Sequence, residues 1–283
     1  MRQAKKAYFS RKNLIVVGIF MMAGAIFAAP AGASPLEFAR AAAAIKPSQN
    51  ELMQLALVVP PPAKARPATP INPDLFGSVA LRAGNLAAQD KWDRVLDEHA
   101  DRLLVSSCDG AVEFCDGNWR TWRSLVEAAG SLSPIAQLSA VNQGVNRLMR
   151  YTEDRIAYGV GDYWARLEET VARGEGDCED FATAKMWVLA ALGVPLEQMQ
   201  LILLRDKWRN EPHAVLAVHL NGRAYILDNL MNTARPADSL THYVPVYSLT
   251  RTASYVHGQR INTGASMPQK IELPAPLPPV RPL

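Results

Sequence analysis

A chain of 283 residues carrying 30 lysines and arginines against 27 aspartates and glutamates has a formal charge of +3 at pH 7. Five of those cations, Arg2, Lys5, Lys6, Arg11 and Lys12, stand at the N-terminus with no acid among them, so the remainder is near −2. That balance excludes a charge argument for nucleic-acid binding, and the length suffices for one good hydrophobic core, with or without extensions.

The basic stretch leads into Leu14–Ala29, which is apolar and uncharged, and then into Ala31-Gly32-Ala33 before Ser34. This is the layout of a secretory signal peptide over 1–33, cut after Ala33. An uncleaved membrane anchor competes with it, because the apolar run approaches spanning length. Either exports the rest of the chain to a compartment where disulfides persist. Residues 34–79 are rich in alanine and proline, with Pro60-Pro61-Pro62 at their centre, and read as an extended linker. Residues 80–262 carry the periodic patterns and read as the domain. Residues 263–283, with Pro274, Pro276, Pro278, Pro279 and Pro282, read as a tail without regular structure.

Within the domain, apolar residues at helical spacing predict helices over 88–104, 119–129 and 134–151, the last opened by Pro134. The segment 153–162 is loop-like, and 163–173 reads as a short helix. An apolar, alanine-rich helix is expected over 178–192, stopped by Gly193 and Pro195. Strand-like runs follow at 199–206, 213–220, 223–230 and 243–249. Helices first and an antiparallel sheet afterwards is an α+β pattern, with the 178–192 helix at the junction.

Three cysteines in an exported chain leave one thiol over. Cys108 and Cys115 flank Asp109-Gly110 closely enough to close a small local loop, which leaves Cys178 free. Cys178 opens the apolar helix, where the helix dipole favours a thiolate, and Gly174 and Gly176 before it permit a sharp turn and a close substrate approach. A buried, inert cysteine is the competing reading of this residue alone. Asn221-Gly222 between two strand-like runs is a strong hairpin signal. A two-residue loop there pairs Leu220 with Arg223 and Val215 with Asp228. His213 and Asp228 then become diagonal neighbours on one face, about 7–8 Å apart along the backbone and within side-chain reach. The other face of the first strand carries Ala214, Leu216, Val218 and Leu220, a core face. A strand-end histidine and a turn-opening aspartate are common without any chemistry. Together with Cys178 they compose a thiol–imidazole–carboxylate set, in which His213 moves the thiol proton and Asp228 orients the ring. His219 shares the face of His213 but has no evident acid, and His99, His242 and His257 fit no constellation.

The run Gly-Glu-Gly-Asp177-Cys178-Glu179-Asp180-Phe, then His213-Ala-Val-Leu, then Tyr-Ile-Leu-Asp228-Asn229, resembles the bacterial transglutaminase-like cysteine peptidases. Asp162-Tyr163-Trp164-Ala165 is similar to their LapG-type periplasmic branch. The resemblance covers about residues 85–255 and implies a papain-like α+β core and cysteine endopeptidase activity. It further implies a periplasmic location, large surface adhesins of biofilm as substrates, dependence on calcium, and restraint by an inner-membrane receptor for cyclic di-GMP. Acyl transfer to an amine, as in a true transglutaminase, passes through the same thioester, as does cell-wall amidase chemistry. A non-catalytic binding module on this fold has no need of all three residues. The extra loop bearing Cys108 and Cys115, and the proline-rich ends, depart from the branch.

Glu175, Asp177, Glu179 and Asp180 surround Cys178, and four negative charges there raise a thiol pKa. A divalent cation offsets that, and carboxylates are hard ligands suited to Ca2+. The charge argument and the resemblance agree on Asp177 and Glu179 as ligands, with Asp154 from the 153–162 loop. Acids that merely serve the helix dipole are the competing reading, for which Glu179 and Asp180 are well placed.

Overall fold

The computed structural model describes residues 71–84, 86–96, 101, 104, 117–261 and 270–275. The signal segment, most of 34–79 and the pair Cys108 and Cys115 lie outside them. Among the described residues no helix is long and apolar enough to cross a membrane.

In chain order the elements are β1 (Val79–Ala83), α1 (Gln89–Leu96), α2 (Gly117–Gly130), α3 (Pro134–Leu148), β2 (Arg150–Tyr151), α4 (Asp154–Ala157), α5 (Leu167–Arg173), β3 (Glu175–Gly176) and α6 (Cys178–Ala191). Then follow β4 (Met199–Asp206), β5 (Glu211–Leu220), β6 (Arg223–Leu227), β7 (Arg235–Pro236), β8 (Tyr243–Leu249), β9 (Ser254–Ile261) and β10 (Lys270–Glu272). The strands form an antiparallel sheet in the order β1-β9-β8-β4-β5-β6-β7, with β10 also paired to β9. With the helices gathered in the first half, the chain has the α+β architecture that the sequence predicts.

Helix α6 is apolar around its whole circumference, and Phe181 to Leu189 are all buried. A helix without a polar face belongs in the interior. It packs on β5 and β4 on one side and on α2, α3 and α5 on the other. Each fully buried aliphatic side chain, such as Val188 or Leu189, contributes about 1.5–3 kcal/mol relative to exposure. This is what holds the N-terminus of α6, and hence Cys178, in one place.

The hairpin of β5 and β6 has the expected register, with Leu220 opposite Arg223 and Leu216 opposite Leu227. Asn221 and Gly222 both have positive φ, 52° and 76°, as the twist-matched two-residue turn requires. Strand β6 ends at Leu227 instead of 230, because the Asp228 backbone N–H leaves the ladder and donates to Asn142 Oδ1 of α3 at 2.8 Å.

Four further expectations are corrected. Both faces of β5 are buried, not one: Ala214, Leu216 and Val218 join the main core under the helices, while Val215 and Ala217 join a second cluster with Leu75, Ile202, Leu204, Ile226 and Tyr243. The last residues of the 34–79 segment are part of the fold, since Leu75 is in that second cluster and Asp74 Oδ1 accepts from the Ala80 N–H at 2.8 Å. The proline-rich end contributes β10, pairing Lys270 with Ile261. Helix α3 stops at Leu148, not 151, because Arg150 and Tyr151 pair in parallel with Glu175 and Gly176. That small ladder ties the end of α3 to the segment just before Cys178.

Candidate active site

Gly174 closes α5 in the left-handed conformation, φ 65°, and the chain passes through β3 directly into α6. Asp180, wholly buried in the first turn of α6, accepts from the Ala165 N–H at 2.8 Å and from the Asp177 N–H at 3.3 Å. It therefore does what the dipole reading expects, and at the same time it holds the 162–166 segment against the helix start. The Cys178 thiol is half-buried and is a free cysteine. It donates to Glu179 Oε2 at 3.1 Å, and the backbone of Ala214, the neighbour of His213, acts on it in the direction that favours the thiolate.

His213 is buried at the start of β5, and its Nε2 lies 2.9 Å from Asp228 Oδ1. The structure thus joins this pair as the hairpin register implies. Asp228 is also buried. Its Oδ2 accepts from the Tyr243 hydroxyl at 2.5 Å and its Oδ1 from the Leu230 N–H at 2.8 Å. Burial alone would raise its pKa, but the His213 hydrogen bond and charge, the Tyr243 hydroxyl and the Leu230 amide outweigh it, so Asp228 is held below the usual carboxylate range. An ionised Asp228 accepts from Nε2–H, which leaves Nδ1 as the ring nitrogen free to take a proton. The loop after Asp228 is clamped by α3: Asn146 Nδ2 donates to Asp228 O at 3.0 Å and to Met231 O at 2.9 Å, and Asn142 Nδ2 donates to Met231 O at 2.5 Å. Outward from Tyr243 the His242 ring follows at 4.3 Å, and the exposed Trp208 indole stacks on His242 at 3.7 Å.

Burial, and after it the charges of Glu179 and Asp177, push the Cys178 thiol well above its ordinary value. The acids themselves are strained. Burial and Glu179 drive Asp177 far up, burial carries Asp180 to about 8, and burial carries Asp154 to about 6. Carboxylate oxygens of Asp154, Asp162 and Glu179 lie within 4.8 Å of one another, as do those of Asp154, Asp177 and Asp180. Asp154 Oδ1 and Asp177 Oδ1 are buried with no hydrogen-bond partner. Asp154, Asp177 and Glu179 are thus brought to one place, together with Asp162, which also pairs with Lys91.

The sequence reading omits Tyr243, Asn142, Asn146 and Lys185. Tyr243 opens an ordinary strand and carries no local signal. Asn142 and Asn146 lie one turn apart on a face that is otherwise apolar, and Lys185 is the lone cation of an all-round apolar helix; those are signals that pattern reading can use.

A family profile described as bacterial transglutaminase-like cysteine proteinase matches residues 105–257. No curated protein matches significantly. Among solved structures, Legionella pneumophila LapG is similar at 28% identity over 56% of this chain and 85% of that one, with a TM-score of 0.45. Calcium-bound LapG of the same organism is similar at 24% identity over 60% of this chain and 88% of that one, with a TM-score of 0.44.

Proposed function

Because the chain belongs to the bacterial transglutaminase-like cysteine proteinase family, we propose that Cys178, His213 and Asp228 are its catalytic triad, supported by calcium and acting on an exported protein. The chain is a cysteine peptidase. The observation that carries the assignment of roles is the His213 Nε2–Asp228 Oδ1 hydrogen bond of 2.9 Å, braced by Tyr243, beside the one free thiol of the described residues.

In this reading Nδ1 of His213 takes the Cys178 proton, and the thiolate attacks the scissile carbonyl carbon to form a C–S bond. The backbone N–H of Cys178, at the N-terminus of α6, donates to the oxyanion. The imidazolium gives its proton to the amine nitrogen as the C–N bond breaks, leaving a thioester. Water then attacks the thioester, His213 takes its proton, and the C–S bond breaks to release the acid and the thiolate. Asp228, held ionised, stabilises the imidazolium in both halves.

The acid cluster fits a hard divalent cation: its oxygens converge, two are buried without a partner, and none has a soft or imidazole competitor except the thiol itself. Asp154, Asp177 and Glu179 would hold calcium, with Asp162 alongside. Bound there, the cation supplies the positive charge that lets Cys178 ionise at neutral pH. The substrate proposed from the motif resemblance is a large surface adhesin of biofilm. A periplasmic location set by the 1–33 segment and restraint by an inner-membrane cyclic di-GMP receptor belong to the same proposal.

Alkylation of the purified protein by iodoacetamide, mapped by mass spectrometry with calcium and with a chelator, tests the site. Cys178 labels fast near neutral pH with calcium, and slows at least tenfold with the chelator or in His213→Ala. Labelling no faster than that of a free thiol, or a Cys178 already bridged to Cys108 or Cys115, overturns the triad.

A further inference from the structure

Helix α1 turns Trp92 and Val95 into the core, while Lys91 and Arg94, three residues apart and so on one face, reach the segment 162–164. Arg94 donates to Trp164 O, to the Tyr163 hydroxyl at 2.5 Å and to Glu169 Oε2 at 2.9 Å. Lys91 Nζ pairs with Asp162 Oδ2 and donates to Asp162 O at 3.3 Å. The two cations differ in the acids they meet. Glu169 is not among the clustered acids beside Cys178, whereas a carboxylate oxygen of Asp162 lies within 4.8 Å of oxygens from Asp154 and Glu179. The segment that α1 holds also shapes that cluster, since the Tyr163 N–H donates to Asp154 Oδ2 at 2.5 Å and the Ala165 N–H to Asp180 Oδ1 at 2.8 Å. Asp154 is only 3% exposed, and its other oxygen, Oδ1, is buried with no hydrogen-bond partner. A buried carboxylate oxygen without a donor is an atom that a hard cation satisfies. Lys91 therefore places an ammonium on the outer acid of a group that converges on a second cation. Side-chain exposures of 34% and 50% leave the Lys91–Asp162 pair wet enough to part, and such a pair adds little to fold stability. Its consequence falls on the second cation, which needs the same carboxylate.

We propose that Lys91 is an internal competitor of calcium: its ammonium holds the Asp162 carboxylate, gives it up when calcium joins Asp154, Asp162 and Glu179, and so sets the affinity of the site. The inference rests on the calcium reading above and not on the triad. Binding then costs one ion pair and leaves an ammonium near a doubly charged ion. Removing the Lys91 charge is expected to tighten calcium binding about fivefold, the scale on which one charge acts on another through a wet surface. The hold of Arg94 on Tyr163 and Trp164 does not use Asp162, so the segment keeps its place when Lys91 is changed.

Calorimetric titration of the purified protein with calcium chloride is the test, run on the parent, Lys91→Met, Lys91→Arg, Asp162→Asn, the Lys91→Met/Asp162→Asn double variant and Asp177→Asn. Lys91→Met is expected to bind calcium about fivefold more tightly than the parent, and Lys91→Arg, which keeps the charge, to stay within about twofold of it. In the Asp162→Asn background the Lys91→Met change is expected to alter affinity by less than about twofold, because the shared carboxylate is gone. Lys91→Met is also expected to melt below the parent in chelator and no lower than it in saturating calcium. A packing defect cannot give that pattern, since it acts in both conditions. Asp177→Asn separates the two readings. If it loses calcium affinity while Lys91→Met binds as the parent does or more weakly, the competition is overturned and the calcium site stands. If Asp177→Asn binds calcium as tightly as the parent, or the parent binds none, the calcium reading fails and the competition fails with it.

Discussion

At the scale of single residues, the site depends on how Asp228 is held. Three donors reach its two oxygens, from His213, Tyr243 and the Leu230 amide, and together they offset the cost of burying the carboxylate. Tyr243→Phe removes one of them and keeps the ring. A hydrogen bond to a charged group is worth about 1.5–3 kcal/mol, and about 1.4 kcal/mol is a factor of ten in rate. Tyr243→Phe should therefore slow Cys178 alkylation at least tenfold, while leaving the calcium-induced rise in melting temperature unchanged. An unchanged rate would show that Tyr243 only fills space. The His213–Asp228 pairing was legible in the sequence because a hairpin register is a local rule. The Tyr243 brace was not, since it comes from a strand that lies beyond β4 and β5 in the sheet order.

At the scale of elements, α6 positions the thiol and Gly176 positions α6. A Cβ on Gly176 would lie 2.4 Å from Asp180 Oδ2 and 2.6 Å from Asp180 Cβ. The second contact is with the root of the side chain, so a rotamer change cannot relieve it, and the first turn of α6 must shift. Gly176→Ala is expected to cost about 1–3 kcal/mol, as overpacking does, and to lower the melting temperature measurably. It should also slow Cys178 labelling, because Asp180 ties the helix start to Ala165 and Asp177. Unchanged melting and labelling would mean that the helix start is softer than its contacts imply. The helix and its boundaries could be read from an apolar run between Cys178 and Gly193. The two-stranded β2–β3 ladder could not, because two residues on each side carry no periodicity.

At the scale of the whole molecule, the acids near Cys178 link stability to pH and, on the proposed calcium reading, to that cation. Asp154 and Asp180 have folded-state pKa values of about 6 and about 8, raised above their unfolded values by burial. A raised carboxylate stabilises the fold at low pH, and that contribution is lost as pH rises through the folded value. These groups thus weaken the fold between about pH 4 and 8, and on the proposed calcium reading a bound cation would cancel the loss. Elsewhere a buried relay crosses the sheet: Ser78 to His257 at 2.7 Å, His257 to Ser248 at 2.8 Å, Gln200 to Ser248 at 2.7 Å, and His219 to Gln200 at 3.1 Å. Because the Ser78 hydroxyl donates to Leu75 O, His257 must donate to it through Nδ1–H and accept from Ser248 through Nε2. Burial lowers both imidazoles to about 4, so they oppose the acids below pH 6.5. The clean measurement is therefore a difference. The gap in melting temperature between calcium and chelator should widen steadily from pH 5 to pH 8, since the histidines contribute equally to both arms. A gap independent of pH would place calcium away from these acids. The sequence by itself determined the α+β order of elements, the hairpin that joins His213 to Asp228, and the acids crowding a free thiol, all of which follow from local periodicity, turn chemistry and spacing. Only the tertiary structure decided that both faces of β5 are buried, that Asp180 serves the helix start, that Tyr243 and two asparagines hold Asp228, and that Lys185 is buried in the core without a hydrogen-bond partner among the described residues. Those contacts join residues tens of positions apart, and packing, which no local pattern encodes, is what brings them together.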